Sequence, residues 1–388
     1  LSVTSGALDL ASYTAAYSGS YTATLAVSSG ATLKIGGTNT LPSGYSTYTF
    51  SSGSTVEYNG TIQTVGAQTY SNLTLSGSSA KTTTGATVNL VLSMEGTATT
   101  TGTAPTYGSG ATLQYKGSGA QITGTEFTTP WAGTGGVKIE NASGVTLNGI
   151  KTINPTSSLT IGSSVTNSVF SDGGYQLTCT GTLNLTSGTF KLGATSATTF
   201  PLFGTRNISA GTTVEYAANA AQAVSTTPSY QNLTFSGSGT KTPASGTLSI
   251  AGNWIIGSAA ALNTNNTVVN LTGNLTINSA LTQGTGAITI QGNWTNNSTF
   301  TAGSGGVTFS GASAQTLGGS NTTAFNGLTV NNSNGINLGN SPTINGTLTL
   351  TSGKITTGSY TVIISSTGSV SGGSSSSYIY GNLQKYVA

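Results

Sequence analysis

SIAGNWIIG (residues 249–257), NLTGNLTI (270–277) and TIQGNWTN (289–296) are three versions of one phrase, and TFSG (308–311) is a degenerate fourth. Their glycines, Gly252, Gly273, Gly292 and Gly311, step by 21, 19 and 19 residues. A fixed period near 20 is the mark of a solenoid, and at about 3.3 Å per residue one period holds three short strands and three turns. Leucine-rich repeats of similar length need a Leu-x-x-Leu-x-Leu ladder, which the phrase lacks; helical repeats need a 3.6-residue apolar period, and propeller blades need about 40 residues. The reading is therefore all-β: a right-handed parallel β-helix with coils of about 20 residues. One continuous array would run through residues 1–388, in about 19 coils at that period.

Longer similarities are superimposed on the coils. TVEY at 55–58 returns at 213–216, YSNLTLSG at 70–77 returns as YQNLTFSG at 230–237, and Lys81 matches Lys241. This places a larger duplication over about 27–90 and 185–250, with TLQY at 112–115 as a weaker copy. A third phrase, Leu1-Ser2-Val3-Thr4-Ser5-Gly6, recurs from Leu183 and from Leu348. Within all of these, apolar residues alternate with Thr, Ser or Asn, so one side of each strand turns inward and the other outward. Gly and Asn tolerate a left-handed backbone, which tight corners require.

Composition agrees. Charged residues are 4% of the 388, against about 25% in an ordinary soluble domain, and Gly occupies 56 positions. Frequent Val, Ile and Thr favour strands, and the low charge argues against a solvated disordered chain. The net charge of +3 contains no basic run, so nucleic acid is not expected as a partner. The single cysteine, Cys179, excludes an intrachain disulfide and reads as a small buried hydrophobe. No run of about 18 apolar residues suggests a membrane span in this section.

Chemistry finds little to work with. There is no histidine to act as base or metal ligand. The seven acids, Asp9, Glu57, Glu95, Glu126, Glu140, Asp172 and Glu215, are scattered, whereas glycosidic cleavage needs two carboxylates about one bond. Glu57 and Glu215 read as outward strand residues, and Lys81 and Lys241 as solvated loop cations. Neither catalytic residues, cofactor nor metal are expected, and the chain is read as no enzyme.

Asn253, Asn274 and Asn293 fall at one point of successive coils, which predicts a ladder of side-chain amides bonding coil to coil; three independent loop asparagines are the alternative. Trp254 and Trp294, with Leu275 between them, read as a stacked core row or else a sugar-stacking platform. Tyr58, Tyr115 and Tyr216 recur at related positions. They are the candidates for an aromatic row that binds surface glycans, and a repeat-encoded structural row explains them equally well. Asn-x-Ser/Thr triplets at Asn59, Asn72, Asn232, Asn274 and Asn293 are potential glycan acceptors where exposed.

ATLKIGGTNTLPSGYSTYTFSSGSTVEY (31–58), TYSNLTLSGSSAKT (69–82) and TGSVSGGSSSSYIYGNLQKYV (367–387) resemble repeats of very large bacterial surface proteins and adhesins. The resemblance implies secretion, a β-helical stalk and a cell-surface or matrix role, and carries over no catalytic residue. Leu1–Leu8 already reads as a coil and 382–387 as a strand, neither with a polar cap. Uncapped edges invite another copy, so self-association end to end is expected of a stalk, adhesin section or filament subunit.

Overall fold

The computed structural model describes residues 1–386. Among them there is no helix; 44 strands stack in parallel at about 21-residue spacing and form a β-solenoid of about 18 turns. An isolated antiparallel bridge joins Ser374 and Ser377 inside one turn. The chain comprises two compact units, Leu1–Phe190 with Pro201–Ser209, and Lys191–Phe200 with Ala210 onward.

In the first unit, period-two alternation does what it predicts. Thr55–Tyr58 and Thr182–Leu185 both alternate half-exposed and buried residues. The inward positions stack in columns. Leu33, Val56, Leu73, Leu92, Leu113, Val137, Leu159 and Leu183 are register partners of one another in turn, and all are fully buried. Each such side chain contributes about 1.5–3 kcal/mol of hydrophobic stabilisation. Spacing along the column is uneven, from 17 residues between Val56 and Leu73 to 24 between Leu113 and Val137. The extra residues leave as loops, of which 10–23 carries Tyr13 and Tyr21, both strongly exposed.

The second unit is more regular. Val214, Leu233, Trp254, Leu275, Trp294 and Leu317 form one buried column. Leu248, Val269, Ile288, Val307, Leu328 and Leu348 form another. The glycines of the repeated phrase have a different physical reason from the one expected. Gly252, Gly273 and Gly292 are not in the left-handed region, and neither are Asn253, Asn274 and Asn293. Instead, a Cβ on Gly273 would lie 2.2 Å from the Gly252 carbonyl oxygen, and one on Gly292 would lie 2.3 Å from that of Gly273. Close approach of backbone to backbone, not corner geometry, excludes a side chain there. Left-handed glycines do occur elsewhere, as at Gly30 and Gly53.

The strand expected over 382–387 is found as Ile379–Lys385; Val387 lies outside the described residues.

Candidate functional site

The three tyrosines proposed as a binding row are core residues. Tyr58 and Tyr115 belong to an inward column with Ile35, Leu75, Met94 and Ile139, and Tyr216 is the inward partner of Phe235. Their exposures are 0%, 1% and 0%, so no ring face is open to a sugar. The inward side of a coil strand is the reason: each tyrosine follows an inward residue by two. Their hydroxyls are satisfied internally. Tyr70 Oη donates to the Gly66 carbonyl (2.8 Å), so Tyr58 Oη donates to Tyr70 (3.2 Å) while accepting from the Gly66 N–H (2.9 Å). The second copy repeats the arrangement with Tyr230, Tyr216 and Ser225. Tyr115 donates to Glu126 Oε1 at 2.6 Å. Burial pushes Tyr58 and Tyr216 up to about 12.

Trp254 and Trp294 are likewise fully buried, with neither indole N–H partnered, which removes the stacking-platform alternative. Trp294 meets Phe300 edge-on, with ring centroids 5.0 Å apart.

Lys81 and Lys241 are not solvated loop cations. Both are 0% exposed. Lys81 Nζ donates to the carbonyls of Gly60 (2.7 Å), Thr61 (2.6 Å) and Ser78 (3.2 Å), and to Gln63 Oε1 (3.0 Å). Lys241 Nζ donates to the Ala218 and Gly239 carbonyls at 2.6 and 3.2 Å. A turn whose carbonyls point inward must be given donors, and the long lysine stem delivers three at once. Desolvation lowers Lys81 to about 8 and also lowers Lys241.

A glutamine organises each of these corners, a feature the sequence reading missed. Gln63, Gln121, Gln222 and Gln315 each accept from a backbone N–H three or four residues earlier and donate to a carbonyl of the preceding coil. At two corners asparagine replaces lysine as the following donor. Asn141 and Asn332 each give Nδ2 to the glutamine oxygen at 2.9 Å. The signal was an aromatic residue five or six positions before each glutamine: Tyr58, Tyr115, Tyr216 and Phe309.

Asn253, Asn274 and Asn293 do meet. Each side-chain oxygen accepts the backbone N–H of the next coil: Asn253 from Asn274 (3.0 Å), Asn274 from Asn293 (2.8 Å), and Asn293 from Thr316 (2.7 Å). Asn232 precedes them, accepting from Asn253 at 2.8 Å. Only between Asn274 and Asn253 does an amide nitrogen also bond to the preceding side chain, at 3.2 Å. The row is exposed and bonds mainly side chain to backbone.

The acids remain apart. Glu57 pairs with Lys34 (3.0 Å) and Glu215 with Lys191 (3.4 Å), both on outward faces. The two oxygens of Glu140 are held by the N–H and hydroxyl groups of Ser163 and Ser164 and by the Val165 N–H; these bonds lower its pKa against the opposing cost of desolvation. Glu126 is bound by Tyr115, Thr100 and the Gly124 N–H. Among the described residues no cluster of three or more His, Cys, Asp or Glu is placed to hold a metal, and no helix is long and apolar enough to cross a membrane. Cys179 is free and buried, with its thiol pushed up by desolvation. Comparison with family models, with curated proteins and with solved structures found no match to this chain.

Proposed function

We propose that this chain is a structural section of an extracellular stalk, adhesin or filament, with no catalytic activity. The observation that carries the reading is where its polar groups go. Buried lysines, glutamines and tyrosines are consumed in closing turns on one another. Outward columns bond coil to coil, as Asn207 Nδ2 does to Asn184 Oδ1 at 2.8 Å. Such a molecule invests its chemistry in persistence, and its nearly uncharged Thr, Ser and Asn faces suit a secreted surface.

Val370 and Leu383 continue the inward columns of Leu348 and Val362, yet are 44% and 50% exposed where those are 0% and 1%. A further coil laid on the Ile379–Lys385 edge would cover them and take up its backbone hydrogen bonds. A second copy supplies that coil in the filament form of this proposal.

Antibody against the chain should label intact source cells; labelling only after lysis would overturn the surface assignment. Sedimentation and electron microscopy of the purified chain should show end-to-end oligomers growing with concentration. Monomers throughout would remove the filament form, and release of sugar from polysaccharides would remove the non-enzymatic reading.

A further inference from the structure

We propose that the side of the second unit around Lys354 is a binding site for an acidic saccharide, a uronic acid within a glycan. The inference stands independently of the stalk reading. It rests on three coils in parallel register. Ile336, Ile355 and Ile379 are successive partners on the inward side. Their sequence neighbours therefore face sideways: Lys354 and Tyr378 before, Asn337, Thr356 and Tyr380 after. The Lys354 ammonium lies 5.2 Å from the centre of the Tyr378 ring and 6.0 Å from that of Tyr380. The two rings are 6.5 Å apart and set at 79°. Lys354 is exposed and has no carboxylate partner among the described residues, unlike Lys34 and Lys191.

Beside this cation lies an open cleft of about 540 Å³, lined by Ser333, Asn334, Lys354, Thr356, Ser375 and Ser376. Its upper lip is held in place: Ser374 and Ser377 bond to each other through their backbones, and Ser377 Oγ donates to the Gly353 carbonyl at 3.2 Å. The lining thus combines one positive charge, hydroxyls and an amide, with no acid. Tyr380, with its ring centre 6.0 Å from the Lys354 ammonium, offers an aromatic ring that is 62% exposed. A carboxylate satisfies Lys354, sugar hydroxyls exchange hydrogen bonds with serine and asparagine, and the apolar face of a pyranose rests on the ring. Phosphate would use the cation but leave the ring idle, and a neutral sugar would leave the cation unpaired.

The full chain is titrated with trigalacturonate, its methyl ester and inorganic phosphate, following shifts of backbone amide resonances. Trigalacturonate should bind, with the ester and phosphate each weaker by about tenfold. Lys354→Gln should cost about tenfold and Tyr380→Ala about fivefold. Lys116→Gln, at an exposed lysine of the first unit, should change nothing. Circular dichroism matching the parent shows that each variant is folded. No binding, equal binding of acid and ester, equal binding of phosphate, or equal loss in Lys116→Gln overturns the proposal.

Discussion

The coils at 55–82 and those at 252–296 build one architecture with a different balance of two means, for Gly60 and Gly77 also press on backbone in the first and Gln283 also serves turn carbonyls in the second. In the first, turns close around buried polar side chains: Gln63, Lys81, Tyr58 and Tyr70 hydrogen-bond to one another and to backbone carbonyls. In the second, turns close by bringing backbone against backbone at Gly252, Gly273 and Gly292, with the asparagine oxygens bridging outside. A solenoid requires only that each coil satisfy the groups its neighbour presents. Donors can come from a long side chain that fills the turn, or from main chain if nothing fills it.

That contrast can be broken at its stiffest point. Gly273→Val puts a branched side chain against the Gly252 carbonyl, which is backbone and cannot turn aside. We expect a loss of about 3 kcal/mol or more, read as a lowered denaturation midpoint of the second unit. A midpoint within experimental error of the parent would mean that the glycine stack is dispensable.

In the first region the equivalent blow is Lys81→Met, which keeps the stem and deletes the ammonium. The carbonyls of Gly60, Thr61 and Ser78 lose that donor, for a cost of about 2–3 kcal/mol in urea unfolding. Lys81→Asn should recover part of it, since Asn141 and Asn332 serve the glutamines of other corners. If Met and Asn are equally harmful, the corners are not interchangeable.

Alkaline pH separates the two devices without mutation. Burial lowers Lys81 to about 8 from 10.5, and lowers Lys241 and Lys151 as well. Between pH 8 and 10 the unfolded chain therefore binds more protons than the folded one, and stability rises with pH. Above pH 10 the tyrosines reverse the slope. Tyr58 and Tyr216 hold their protons to about 12, so the unfolded chain releases phenolic protons first and stability falls. Urea midpoints should peak near pH 10; a monotonic decline from pH 8 would contradict the buried-lysine account.

Asn274→Ala is the mildest test. It removes the acceptor for the Asn293 N–H and the amide bond to Asn253, both exposed. Water replaces them, so a loss of about 0.5–1.5 kcal/mol is expected, and faster hydrogen exchange at the Asn293 amide would localise it.

Read alone, the chain determined its own class. Period-two alternation, a repeat near 20 residues and the pairing of Gly with Asn suffice for a parallel solenoid, because each is a local pattern repeated until it can mean only one thing. The same patterns placed Cys179 in the interior and brought Asn253, Asn274 and Asn293 to one row. The direction and company of individual polar side chains, by contrast, came from the stacking of the coils. Tyr58, Lys81 and Lys241 look like surface residues by type. They are buried because the groups they serve, the Tyr70 hydroxyl and the Gly60 and Ala218 carbonyls, lie 12 to 23 residues away in sequence and are visible only once the coils are stacked. Lys354 gains its significance in the same way, from Tyr378 and Tyr380 one coil later. Burial of an apolar side follows from the strand's own period. Satisfaction of a polar group depends on its neighbour in the next coil, and that neighbour is set by register.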